Sequence, residues 1–279
     1  MDGIFLMLCA DVAFAVMATA TKWTGVHIPA FEIVFVRSAV SSAALILLCG
    51  IQRVSLRPKE PVLLWSRGIV GYIAMQCFFW ALPRIALGTA VTLNYTAPIF
   101  AVVMSMLLMS EKPSLTAKLA LALSFIGVWL LASPRFGGRP EPLLAALVSG
   151  LLAGAVYVMI RRSRHADGPL LVIFYFTLTS TLATGLWTVF AGWTPPNFSE
   201  WAALAVITVS SFIGQLCLTY SLHKAPIWVV SPFAYMTPVL SLLFGWLLWR
   251  EVPSTQNLLG SAIVIACGIV MLTKRSTVR

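Results

Sequence analysis

Ten apolar blocks follow one another along this chain, each near the length of a membrane-spanning helix. They cover 3–22, 29–51, 61–82, 86–109, 115–133, 141–161, 169–191, 199–222, 226–249 and 255–273. The breaks fall at proline, glycine or clustered charge, as at Arg53 to Pro61, Pro83, Glu111-Lys112-Pro113, Pro134 to Pro142 and Pro195-Pro196. Connections this short join antiparallel neighbours and leave no room for a soluble domain. The pattern predicts ten transmembrane helices.

The fourth and ninth blocks share landmarks at a fixed interval. Tyr95, Pro98, Leu107-Leu108, Glu111, Pro113 and Ser114 return 140 positions later as Tyr235, Pro238, Leu247-Leu248, Glu251, Pro253 and Ser254. The register reaches back to pair Cys77 with Cys217 and Leu82 with Leu222. Self-similarity at half the chain length means one structural unit written twice. Five helices per unit is an odd number, so the second copy must enter the membrane from the opposite face. The expected fold is therefore an all-α membrane protein built as two inverted five-helix repeats, 1–133 and 141–273, forming one transmembrane unit.

Composition agrees: 59% of residues are hydrophobic and 10% charged, whereas about a quarter of a soluble chain is charged. The net charge of +10 does not imply nucleic acid, because the basic residues lie in short connections where they encode orientation. With the N-terminus placed inside, twelve Lys and Arg lie on the cytoplasmic side and five outside, with Arg37 and Arg67 within helices. Both termini are thus expected in the cytoplasm, with Trp23, Trp80, Trp193 and Trp201 at the outer interface. Met1-Asp2 lacks the basic region of a cleavable signal. Five cysteines within apolar runs show no C-x-x-C spacing, so neither disulfides nor a metal is expected.

Further short motifs are Phe35-Val36-Arg37-Ser38, Arg67-Gly68-x-x-Gly71, Trp80-Ala81-Leu82, Thr92 to Pro98, the Glu111 helix end, and the second-half run from Tyr220-Ser221-Leu222 through Ser231-Pro232-Phe233 to Glu251. Together they resemble the EamA-like branch of the drug/metabolite transporter superfamily along essentially the whole chain. The resemblance implies a ten-helix carrier with a central cavity, often one that exports amino acids or related metabolites. It does not fix the solute.

Charges at membrane depth are the most informative residues, because burying one costs several kcal/mol and marks a pathway. Asp11 and Arg37 each lie about 12 Å from a helix end at 1.5 Å per residue. Opposite charges at similar depth suggest an ion pair, one that either locks the first two helices or opens to take a zwitterion. Asp11 is alternatively the site of a substrate cation or a coupling proton. Arg67 is read as snorkelling to headgroups, and Glu32 as solvated or paired at the outer interface. Glu111 and Glu251 stand where each could cap the following helix.

The second half has no charge away from its helix ends; Leu151 and Thr177 occupy the positions equivalent to Asp11 and Arg37. It is expected to supply a polar and aromatic wall of Tyr157, Gln215, Tyr220, Phe233 and Tyr235, facing Tyr72, Gln76, Asn94 and Tyr95. Pro98 and Pro238 predict matched kinks or hinges near mid-membrane. Gly150-x-x-x-Gly154 offers a close-packing groove, internal or at a dimer face.

Metalloprotease, nucleophile-elbow and P-loop motifs are missing, so no catalytic residue, metal or cofactor is expected. The reading is a secondary active transporter of the bacterial inner membrane. It moves a small polar organic metabolite, an amino acid or derivative, outward by alternating access through a central cavity. The alternatives are export of organic cations or drugs by proton exchange, carriage of a nucleoside-linked metabolite such as S-adenosylmethionine, or a channel. Expected partners are the bilayer, a small-molecule substrate and a proton or counter-substrate; monomer and homodimer stay open.

Overall fold

The computed structural model describes residues 2–109, 113–132, 140–250, 252 and 254–276. The described residues form twelve α-helices: α1 (Asp2–Thr24), α2 (Ala30–Ile51), α3 (Pro61–Ala81), α4 (Leu87–Asn94), α5 (Ala97–Met109), α6 (Leu115–Ala132), α7 (Pro140–Ser163), α8 (Pro169–Ala191), α9 (Phe198–Lys224), α10 (Ile227–Ala234), α11 (Met236–Trp249) and α12 (Thr255–Ser276). Lipid offers no partner for backbone amides, so an apolar run closes its hydrogen bonds within itself. Eight stretches are long and apolar enough to cross a bilayer, with α4–α5 and α10–α11 each counting as one. In α6 and α12 the apolar stretches are shorter, Lys118–Gly127 and Leu258–Cys267.

The distribution of side chains is that of a protein dissolved in lipid. Phe190 is 80% exposed and Leu107 77%, while Asp11, Glu32 and Arg67 are 1% exposed and Arg37 2%. Large apolar groups face outward and charges face inward, the reverse of a water-soluble core. Hydroxyls inside helices bond back to their own backbone: on α8, Thr179 donates to the Tyr175 carbonyl at 2.7 Å and Thr184 to that of Ser180 at 2.6 Å.

The expected kinks at Pro98 and Pro238 take the form of breaks. The fourth and ninth blocks are each broken in two, at Tyr95-Thr96 and at Tyr235. Pro98 has no N–H to offer the Asn94 carbonyl, and its ring collides with that carbonyl, so a helix arriving at Asn94 cannot continue. Pro98 sits instead in the first turn of α5, where its missing donor costs nothing. Pro238 bears the same relation to Ala234 and sits in the first turn of α11. The prolines thus interrupt their helices one turn upstream instead of kinking them in place.

The principal packing partners come from opposite halves of the sequence. α1 lies on α9 and α3 on α7, while α2 lies on α8 and α6 on α12. A shift of 140 residues turns the first of these pairs into the second and the last two into themselves. α7 approaches the break between α4 and α5 through two glycines. A Cβ at Gly150 would fall 2.6 Å from the Leu93 carbonyl oxygen and 2.8 Å from that of Asn94, and one at Gly154 2.7 Å from Phe100 Cβ. The glycine groove is therefore an internal contact.

Two clasps hold the ends of α8. The Asp167 carboxylate, just before α8, accepts from the backbone amides of Lys59 (2.8 Å) and Glu60 (3.1 Å), immediately before α3. Glu32, in the first turn of α2, accepts from the Thr194 amide beyond the end of α8 at 3.0 Å. The start of α2 thus meets the end of α8, and the two helices, packed along each other, run antiparallel. Of the two expectations for Glu32, solvated or paired, solvation fails: the side chain is buried and held by the Thr194 amide. Glu111 and Glu251 lie outside the described residues.

Candidate functional site

A cavity of about 120 Å³ lies where the two halves meet. α3 turns one face to it: Arg67, Gly71, Ala74, Met75, Phe78 and Phe79, spaced at three, four and seven residues as one side of a helix requires. α2 contributes Arg37 and α1 contributes Phe14, Met17 and Ala18. Opposite stand Tyr157 on α7, Phe176 on α8 and Gln215 on α9. The two helix breaks open onto the same space through Asn94, Tyr95 and Ala97 on one side and Thr237 on the other.

Of the residues expected from the sequence, Arg37, Asn94, Tyr95, Tyr157 and Gln215 line the cavity. Tyr72 and Gln76 lie on α3 between the lining positions and are half-buried on its flank. Tyr220 is half-buried on α9, and Phe233 and Tyr235 are buried beside the second break, outside the lining. Asp11 also stands behind the lining, and Thr237 joins it to the cavity. Tyr95 donates its phenol to Thr237 Oγ1 at 2.8 Å, and Thr237 donates to Asp11 Oδ1 at 3.0 Å. The second carboxylate oxygen, Oδ2, has no partner among the described residues.

The expected pairing of Asp11 with Arg37 is absent among the described residues. α1 packs on α9, α10 and α11, whereas α2 packs on α8, α9 and α3, so the two charges are directed to different neighbours. Arg37 instead donates Nη1 to the Met75 thioether sulfur and holds its guanidinium 5.8 Å from the ring centroids of Phe79 and Phe176.

Arg67 is the larger correction. It does not snorkel to headgroups: the side chain turns inward, with its guanidinium 4.1 Å from the centre of the Phe176 ring. Its Nη2 reaches Gln215 Oε1 at 3.4 Å. Gly71 makes room for it, since a Cβ there would fall 2.7 Å from Arg67 Nη1 and 3.1 Å from the Phe176 ring. An arginine followed four residues later by a glycine, on one helix face, is the signal in the sequence that could have found this inward turn. Thr237 had a weaker one, as a hydroxyl beside Pro238 at the repeat of the Tyr95 segment. Phe176 had none.

Asn94 closes the wall, donating its amide to Ser149 Oγ at 2.6 Å across to α7. Arg37 and Arg67 can accept no proton donor and grip only acceptors; Tyr157, Gln215 and Tyr95 can orient a polar solute. Among the described residues no group of His, Cys, Asp and Glu is placed to hold a metal.

Comparison with known proteins gives a consistent picture. The family model described as the EamA-like transporter family matches twice, over residues 1–133 and 141–274. The chain is 29% identical over 278 residues to the pseudopaline exporter CntI of Pseudomonas aeruginosa (strain UCBPP-PA14), covering 98% of this chain and 97% of that one. It is 23% identical over 280 residues to a riboflavin transporter of Brucella anthropi, covering 97% and 98%. It is 18% identical over 273 residues to an S-adenosylmethionine uptake transporter of Rickettsia prowazekii, covering 98% and 92%. A solved structure, described only as a crystal structure of a protein, superposes with a TM-score of 0.81 over 99% of both chains at 22% identity, and so shares the fold.

Proposed function

Because the chain belongs to the EamA-like transporter family, and is a transporter and not an enzyme, we propose that it is a secondary active carrier working by alternating access. The solute is a small polar organic metabolite, an amino acid or amino-acid derivative, and the direction is export from the cytoplasm. The carrier is built from two inverted five-helix repeats. The antiparallel packing of α2 on α8 supports that reading, as does the exchange of α1–α9 with α3–α7 under the repeat. Orientation by basic residues supports an inner-membrane protein with both termini cytoplasmic.

The observation that carries the function is the buried, charged cavity between the halves, entered by both helix breaks. Transporters place their sites near the midplane at the repeat interface, where discontinuous helices meet. A second reading, proton exchange, is favoured by the chain Tyr95–Thr237–Asp11, which joins a buried carboxylate to the cavity through two hydroxyls.

Reconstitution into proteoliposomes tests the carrier. Flux should saturate with solute and accelerate when solute is present on the far side. Flux that rises linearly without trans-stimulation would mean a pore.

A further inference from the structure

Two guanidiniums meet in one cavity without a carboxylate. Arg37 and Arg67 are both all but fully buried, their guanidiniums stand 5.8 Å and 4.1 Å from the centre of the Phe176 ring, and neither forms an ion pair among the described residues. Arg37 Nε, Arg67 Nε and Arg67 Nη1 have no acceptor among the described residues. The acceptors that do exist are weak: a thioether sulfur for Arg37 and an amide oxygen at 3.4 Å for Arg67. Aromatic faces attract a cation but do not neutralise it.

A buried positive charge left without its counter-charge is costly, and these two line a space from which a counter-charge can be supplied. Asp11 does not supply it, since the carboxylate stands outside the lining with Oδ1 held by Thr237. The helix breaks bring both signs of dipole to the cavity: Ala97 and Thr237 lie in the first turns of α5 and α11, and Asn94 ends α4, so the positive charge there rests on the two guanidiniums.

We infer that the cavity is a receptor for a dianion, and that the carried solute presents one anionic oxygen group to Arg37 and another to Arg67. Two carboxylates on a short carbon chain fit best, because each planar guanidinium matches one carboxylate in a two-pronged hydrogen bond. A phosphate monoester offers the same charge and the same oxygen acceptors in one group. The inference rests on the carrier reading for its function, but the binding event can be measured apart from flux.

Titration calorimetry on the purified full chain in nanodiscs provides the measurement, with succinate, monomethyl succinate, glycerol 3-phosphate, alanine, lysine and tetraphenylphosphonium as probes. Succinate should bind at least about tenfold more tightly than its monomethyl ester, the loss expected when one charge-assisted pair is removed. Stronger binding of glycerol 3-phosphate than succinate would assign the site to phosphate while keeping the dianion. Arg37→Gln and Arg67→Gln should each bring succinate and its ester within about twofold of each other, a loss of discrimination and not merely of affinity. If those variants fail to fold, the comparison of succinate with its ester on the natural chain decides alone. Equal affinity for the two, a preference for lysine or tetraphenylphosphonium, or no binding of any dianion would overturn the inference. Exchange of other solutes in proteoliposomes without dianion binding would sink it and leave the carrier standing. Dianion-selective binding without exchange would do the opposite.

Discussion

Replacing Gly150 with alanine tests whether α7 is seated on the break between α4 and α5. The new Cβ would lie 2.6 Å from the Leu93 carbonyl oxygen and 2.8 Å from that of Asn94. A comfortable carbon–oxygen contact is about 3.3 Å or more, so the two elements must part by roughly half an ångström. The Thr96 hydroxyl lies nearer still and can turn away, but the two carbonyls are backbone, and no side-chain rotation relieves them. Overpacking of this kind costs about 1–3 kcal/mol, and the immobile partners place this case toward the upper end. Alanine returns about 1 kcal/mol through its better helix propensity. The net expectation is a loss of about 2 kcal/mol. Gly88, in α4 itself, is the control: a Cβ there meets nothing within 4 Å, so Gly88→Ala should be neutral or stabilising by up to about 1 kcal/mol. Unfolding midpoints of the two variants in one detergent should fall on opposite sides of the natural chain, or Gly150→Ala alone should fall. Equal midpoints would refute the close seating of α7.

Asp11→Asn should leave the unfolding midpoint within a few degrees of the natural chain, since the amide oxygen still accepts from Thr237, while transport loses activity or changes its pH profile; an unchanged rate and profile in proteoliposomes would remove Asp11 from the mechanism. Thr237→Val strands the Tyr95 phenol and one Asp11 oxygen together, and should cost about 2–6 kcal/mol at about 1–3 kcal/mol per buried unpaired group, read as a lowered midpoint. Asp167→Ala frees the amides of Lys59 and Glu60, so hydrogen exchange at those two positions should accelerate while the Thr194 amide keeps its protection. Asn197→Ala removes a complete capping box with Glu200 and should lower stability by about 1 kcal/mol by the same melting assay.

Much of the fold was legible because lipid leaves the backbone one economical answer, and an apolar block bounded by proline and charge announces it. The two interruptions were legible only in part. Pro98 and Pro238 advertise a disturbance, but whether a helix bends or breaks depends on how its neighbours pack around the disturbed turn, as α7 does at Gly150. The site was harder. Asp11 and Arg37 stand out as charges, yet their partners are chosen by packing: α1 turns to α9 and α11, α2 to α8, and the attraction between opposite charges never gets the short distance it needs. Arg67 was misread because its depth along α3 suits snorkelling. Only the empty space at Gly71, with Phe176 beyond it, shows the side chain turning inward. Tyr72 and Gln76 are polar residues on the right helix and the wrong face, displaced by about 100° from the row that reaches the cavity.

The clasps of Asp167 and Glu32 bear on how such a molecule could move. They stitch α8 at head and foot, to the segment that opens α3 and to the first turn of α2, like the binding of a book, and a bound spine does not fan open. Pages part along the free edge, so a motion that leaves both stitches intact has to come from the side where α4, α5, α10 and α11 are already cut through. Cutting one stitch would give the molecule a second edge to open on, and a leak through one cover before the other had closed.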